Sequence, residues 1–140
     1  MRTVSSLFSF AKATALAVVF CCLAFSAALA NQFDETAVKQ EVENVFAERS
    51  KNGAFVFRDP KLDADLNLIF EQVKSVRGMS GYGWFANTIF HDQSEPKKQY
   101  AIDFWFKPEG DKLTLMDIRV QKGPKREGDG WIMITRLPVA

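Results

Sequence analysis

The chain has 140 residues, and 18 lysines and arginines stand against 17 aspartates and glutamates, for a formal net charge of +1. This balance excludes the strongly basic surface that is typical of nucleic-acid-binding proteins, and the length indicates one domain. One histidine and two cysteines are too few for the usual zinc sites, so no metal and no cofactor is expected.

The first thirty residues have the pattern of a secretory signal peptide. Arg2 and Lys12 flank a serine-rich start, an apolar run covers Ala13–Leu29, and an Ala-Leu-Ala cleavage motif ends at Ala30. The apolar run is about 17 residues long, at the short limit for crossing a bilayer, so an uncleaved anchor is the alternative. We expect cleavage after Ala30 and a periplasmic or secreted protein with no membrane attachment.

Removal of residues 1–30 changes the chemistry that is open to the rest of the chain. The only two cysteines of the sequence, Cys21 and Cys22, lie in this segment. We therefore expect residues 31–140 to form a single domain without a disulfide or a thiol nucleophile. The net charge becomes −1, which again gives no reason to expect nucleic acid as a partner. Stability must then come from an apolar core, and the sequence supplies an aromatic one.

An amphipathic helix is predicted at the start of this domain. Asp34 is a suitable N-cap, and Asn52-Gly53 supplies a stop. The positions at helical spacing are Val38, Val42, Val45, Phe46 and Arg49.

Downstream of Gly53 the apolar spacing changes to a period of two, which is typical of strands. Segments rich in glycine, proline and aspartate separate the alternating runs, and successive hairpin connections indicate an antiparallel meander. The predicted strands are Ala54–Arg58, Tyr82–His91, Gln99–Lys107, Leu113–Lys122 and Trp131–Leu137, with a loop at Gly123–Gly130.

The segment Leu62–Val76 fits two structures. An N-cap followed by proline at positions 59–60, with apolar residues at helical spacing after them, favours a helix. A strand would explain the alternation over Leu66–Phe70, but Val73 and Val76 would then need a bulge to regain the buried face. On periodicity alone the helix is favoured.

Several blocks between residues 55 and 122 resemble those of small, exported, largely uncharacterised bacterial proteins. The most specific block is Y-x-x-D-F-W at Tyr100–Trp105, and the others are Asp59-Pro60, Leu66-x-Leu68-x-Phe70, Trp84–Phe90 and Leu115–Lys122. The resemblance implies an α+β fold, similar to cystatin-like or nuclear-transport-factor-2-like folds. In that fold an N-terminal helix packs on a curved antiparallel β-meander of four to five strands. It also implies that Leu66–Val76 is a strand.

The chain departs from this group at two positions. It has Asn87 where a cysteine is expected and Gln121 where a histidine is expected. A redox or metal role in relatives would therefore not transfer, and the resemblance implies a fold but no activity.

The residues best suited to a site combine carboxylate and aromatic side chains. On the strand Gln99–Lys107, Asp103 and Trp105 share the face opposite the apolar side chains. Arg119 on the next strand is placed for a cross-strand ion pair with Asp103, and a surface pair of this kind contributes about 0–1 kcal/mol. If the pair lines a pocket, the candidate ligand contacts are Trp84, Trp105, Asp103 and Arg119.

Three functions are compatible with these residues. The preferred one is an exported, non-catalytic binding or interaction module for a small molecule, a peptide or an envelope protein. The alternative is a small lyase- or isomerase-like enzyme with Asp103 as general base and His91 as acid, in an aromatic cone. A purely structural envelope protein, with every aromatic ring in the core, is the third.

The last predicted strand is also a candidate interface. Trp131–Leu137 carries no charge before Arg136 and would lie at an edge of the sheet. Edge strands present unpaired backbone groups that can pair with another chain. Homodimerisation through this strand is a hypothesis.

Overall fold

The computed structural model describes residues 33–136, and within them one helix precedes a single antiparallel sheet. The elements are α1 (Glu35–Arg49), β1 (Ser50–Lys51), β2 (Ala54–Asp59), β3 (Ala64–Met79), β4 (Gly83–Asp92), β5 (Gln99–Glu109), β6 (Lys112–Glu127) and β7 (Gly130–Thr135). Each strand pairs with the next one along the chain, so the spatial order is β1 to β7. The predicted signal peptide, both cysteines and Leu137 lie outside the described residues.

The expected fold class is wrong. Residues 33–136 form one seven-stranded antiparallel sheet with a single short helix, rather than a helix packed on four to five strands. The cystatin-like or nuclear-transport-factor-2-like architecture is overturned with it. The strand number was too low because β1 has only two residues, too few to show an alternating pattern, and because β3 has apolar residues at helical spacing.

The segment that fitted two structures is the strand β3, and two bulges explain its ambiguous spacing. The register against β4 shifts between Phe70 and Gln72 and again between Val73 and Ser75. Each bulge inserts one residue and reverses the alternation, which returns Val73 and Val76 to the face of Phe70. Each inserted residue lengthens the spacing between successive apolar residues from two to three, and a spacing of three is typical of a helix.

The predicted helix is present, but its predicted stop has another role. Helix α1 buries Val38, Val42 and Val45 and ends at Arg49, before Asn52-Gly53. Asn52 and Gly53 have φ of 51° and 78° and connect β1 to β2 as a two-residue turn. Asn-Gly is the favoured pair in such hairpin turns because both positions need positive φ.

The predicted loop Gly123–Gly130 is mostly strand. Strand β6 continues to Glu127, and only the residues at 128–129 form the turn into β7. The loop was predicted because Gly123-Pro124 reads as a strand breaker. Pro124 is tolerated because β6 pairs there with β7 alone, so one side of the strand needs no N–H donor.

The helix covers one face of the sheet, which we call the inner face, through the ring of Phe46. Its ring centroid lies 5.0–5.8 Å from the centroids of four other rings, one each from β2, β3, β4 and β5: Phe55, Phe70, Phe90 and Phe104. Phe90 and Phe104 are fully buried. The aromatic core is therefore on the inner face, and the opposite face, which we call the outer face, carries other side chains.

A buried ion pair joins two strands that are not neighbours in the sheet. Arg136, directly after β7, donates through Nη1 to Asp59 Oδ2 at the end of β2, at 2.5 Å. The Asp59 carboxylate is fully buried and also accepts a hydrogen bond from the Lys61 backbone N–H at 3.0 Å. Arg136 lies against Gly123, where a Cβ would be 2.6 Å from its Nε. The pair therefore holds the curvature that brings β2 and β7 together.

Arg136→Met is expected to lower the free energy of unfolding by about 3–5 kcal/mol, because it leaves a carboxylate buried without its cation. The double variant Asp59→Asn/Arg136→Met removes both charges and should recover part of the loss. Urea unfolding followed by tryptophan fluorescence measures both. Arg58→Met is the matched control, since Arg58 pairs with Asp63 and Asp65 at the exposed surface. Equal losses from Arg58→Met and Arg136→Met would contradict the role given to the buried pair.

Candidate functional site

The register of three strands brings the candidate residues together on the outer face. Phe85 lies opposite Trp105, and Asn87 lies opposite Asp103, across β4 and β5. Across β5 and β6, Asp103 lies opposite Arg119. Paired residues in an antiparallel sheet point to the same side, so these five side chains form one patch.

Phe85 and Trp105 form a stacked pair, and a hydrogen bond from the Trp105 indole holds it in place. Their ring planes differ by 2°, and the centroids are 6.0 Å apart. The Trp105 indole Nε1–H donates to the backbone oxygen of Tyr82 at 2.7 Å. Gly83 permits this approach: its φ is 118°, and a Cβ there would be 2.2 Å from the Phe106 carbonyl oxygen. The pair is therefore preorganised, and both rings remain partly exposed.

Asn87 on β4 connects two polar side chains of the outer face, one from β5 and one from β6. Its Nδ2 donates to Asp103 Oδ1 at 2.6 Å and to Gln121 Oε1 at 2.8 Å. Gln121 reaches it because a register shift in β6 inserts this residue between Val120 and Lys122. The two positions at which the chain departs from the resembled group thus contact each other beside Asp103.

The ion pair of Arg119 is formed within its own strand. Although Arg119 lies opposite Asp103 as predicted, its Nε donates to Asp117 Oδ2 at 2.5 Å. Asp117 also accepts through Oδ1 from the Ile118 backbone N–H at 2.9 Å. Asp103 is therefore held by the Asn87 amide, and Arg119 is held by Asp117.

Two adjoining depressions cross this patch and share Phe85 and Asp103; together we call them the outer groove. The aromatic end has a volume of about 300 Å³ and is also lined by Tyr82, Trp105, Asp117 and Arg119. The polar end has a volume of about 260 Å³ and is also lined by Lys74, Ser75, Arg77, Asn87, Gln121 and Lys122.

Trp84, a predicted ligand contact, lies away from the other three. It is opposite Phe106 and therefore on the inner face, where it lines a depression of about 400 Å³ beside Gly78 and Met79. Trp105 faces the other side of the sheet. The structure thus brings Trp105, Asp103 and Arg119 together and separates Trp84 from them.

His91, the predicted acid, is also remote from Asp103. It lies on the outer face opposite Gln99, four residues along β4 from Asn87, which corresponds to about 13 Å. Its Nδ1 is 2.9 Å from Glu71 Oε1, and Gln99 donates to both oxygens of the same carboxylate. His91 and Asp103 therefore do not converge on one reacting atom.

Two cations lie close to the ring of Trp131, at the start of β7. The Lys98 ammonium lies 4.6 Å from the ring centroid, and the Arg126 guanidinium lies 5.2 Å from it. A 2.9 Å ion pair with Glu95 raises the pKa of Lys98 and lowers that of Glu95. Glu95 therefore holds the Lys98 ammonium near the Trp131 ring.

Strand β7 is the last strand in the order of the sheet, as the sequence predicts for an edge. Ile132 and Ile134 are each 41% exposed on it. Homodimerisation through this strand stays a prediction.

Sequence reasoning missed most of the polar end of the groove. Phe85 could have been found from the sequence, because alternation along β4 puts its side chain on the other face of the sheet from Ala86 and Phe90. Lys74 and Arg77 could not, because the bulges in β3 change which face they occupy. Gln121 was singled out only as a departure from the resembled group.

Comparison of the chain with protein-family models, with curated proteins and with solved structures finds no match. Within residues 33–136, no group of three or more histidine, cysteine or acidic side chains is arranged to hold a metal ion. No helix in that range is long and apolar enough to cross a membrane.

A double-mutant cycle on Asn87→Ala and Asp103→Ala should give a coupling of about 1–2 kcal/mol in the free energy of unfolding, because their hydrogen bond has a charged acceptor. Chemical denaturation of the four proteins supplies the value. A control cycle pairs Asn87→Ala with Asp111→Ala, in the turn between β5 and β6, and should give a coupling near zero. Equal couplings in the two cycles would show that the contact between Asn87 and Asp103 is not the source.

Proposed function

We propose that the protein is an exported, non-catalytic binding module whose ligand lies in the outer groove. The observation that carries this proposal is the Phe85–Trp105 pair, two parallel rings held on the face of the sheet that the helix does not cover. The signal-like sequence of residues 1–30 supports export.

A binding role accounts for features that stability does not need. The inner face already contains the aromatic core around Phe46, and the rings of Phe85 and Trp105 lie outside that core, on the other face of the sheet. Apolar surface left in water costs about 25 cal/mol per Å², so a partly exposed aromatic pair beside polar groups favours a ligand site.

The catalytic alternative has less support. An acid and a base must both reach the reacting group, and His91 is about 13 Å along the strand from the level of Asp103. The Asp103 carboxylate accepts a 2.6 Å hydrogen bond from the Asn87 amide, which holds its orientation. We therefore assign Asp103 a positioning role in the groove rather than proton transfer.

Trp105→Ala should abolish the recovery of a bound small molecule. We expect mass spectrometry of natively purified wild-type protein to identify a reproducible ligand, and the variant to retain less than about one tenth of it, since aromatic rings dominate such contacts. Trp131→Ala is the matched control, because its ring lies between Lys98 and Arg126 and outside the groove.

Two further observations make this test decisive. Trp105→Phe keeps a ring beside Phe85 but loses the N–H donor, so partial retention of the ligand is expected. Circular dichroism verifies that each variant is folded. Equal ligand recovery from wild type and folded Trp105→Ala would contradict the proposed site.

A further inference from the structure

We propose that the ligand of the outer groove is a small organic anion, whose ring or apolar body lies on Phe85 and Trp105 and whose acidic group lies among Lys74, Arg77 and Lys122. This inference rests on the proposed function and adds the chemical class of the ligand. It follows from the distribution of charge along the groove.

The polar end of the groove carries a net positive charge, because three cations and one carboxylate, Asp103, line it. Lys74 and Arg77 come from β3, Lys122 comes from β6, and all three line the same depression. Within residues 33–136 none of the three forms an ion pair, whereas Arg119 and Arg136 each have an acidic partner. Three cations without partners around one depression attract an anion.

Bulges on both sides of the groove supply two of the polar side chains that line it. Lys74 is the residue inserted by the second register shift of β3, and Gln121 is the residue inserted in β6. Bulges re-aim side chains and often occur next to functional sites. Here they lie on either side of Asn87, whose amide and the Ser75 hydroxyl add neutral polar groups to the same depression.

The aromatic end has no such excess of positive charge. Asp103 and Asp117 line it, and the only cation there, among the described residues, is Arg119, which is paired with Asp117. A polyanion laid along the groove would place negative charge against Asp103. The arrangement therefore favours a ligand with its charge at one end and disfavours nucleic acid or an acidic peptide.

The dimensions agree with a small molecule. The two depressions measure about 260 and 300 Å³ and share Phe85 and Asp103. Small-molecule sites occupy roughly 300–1,000 Å³. A ring system with one carboxylate, sulfonate or phosphate group matches the aromatic lining of one end and the net positive charge of the other.

Two dyes that differ by one charge test the inference. 1-Anilinonaphthalene-8-sulfonate carries a ring system and a sulfonate, and N-phenyl-1-naphthylamine has the same rings without the sulfonate. Fluorescence titration should show the sulfonate dye binding wild type at least tenfold more tightly. The variant Lys74→Gln/Arg77→Gln/Lys122→Gln should lose at least tenfold affinity for the sulfonate dye and keep its affinity for the neutral one.

The control variant Lys39→Gln/Lys51→Gln/Lys112→Gln removes the same charge outside the groove and should leave both affinities unchanged. A tenfold loss of sulfonate-dye affinity in the control would overturn the inference, because net charge alone would then explain the effect. The single variants Lys74→Gln and Lys122→Gln, each with a smaller expected loss, carry the test if the triple variant is unfolded.

Trp105→Ala separates failure of the inference from failure of the proposed function. If it abolishes binding of both dyes while the groove triple variant binds the sulfonate dye like wild type, the anionic class is wrong and the binding site stands. If neither dye responds to Trp105→Ala, the proposed site and the inference both fail.

Discussion

The contact of the Phe46 ring with the sheet is the interaction on which the rest of the structure depends. Four rings from four strands surround it, so a single helical residue draws β2, β3, β4 and β5 into one core. Because the helix and these rings occupy the inner face, that stretch of the inner face has no room for a ligand. The outer face is then the one on which the same strands can present a site.

Curvature links this core to the groove. The ion pair between Asp59 and Arg136 holds the curved sheet at strands that are not neighbours. Bulges in β3 and β6 supply part of the bend and, through the inserted Lys74 and Gln121, also the polar groups of the groove. The shift that inserts Lys74 and the shift that inserts Gln121 lie close to Asn87 and Asp103, so the same irregularities serve the fold and the proposed function.

Sequence periodicity predicted the regular parts of this structure. Alternation along β5 correctly separated Asp103 and Trp105 from Phe104 and Phe106, and it predicted Arg119 opposite Asp103. It failed where one residue is inserted, because a bulge leaves no compositional mark, and β3 therefore looked helical. Trp84 was grouped with Trp105, although alternation along β4, whose register against β5 has no shift, places it on the face of Ala86 and Phe90.

The three tryptophans lie in three different parts of the molecule. One measurement on them can therefore test directly the claim that the outer face binds the ligand. In nitrogen-15 NMR, the indole N–H signals of Trp84, Trp105 and Trp131 represent the inner face, the outer groove and the start of β7. On titration with 1-anilinonaphthalene-8-sulfonate, we predict that the Trp105 signal moves with saturation and the other two do not. Movement of the Trp84 signal with Trp105 unchanged would contradict the account and place the ligand on the inner face.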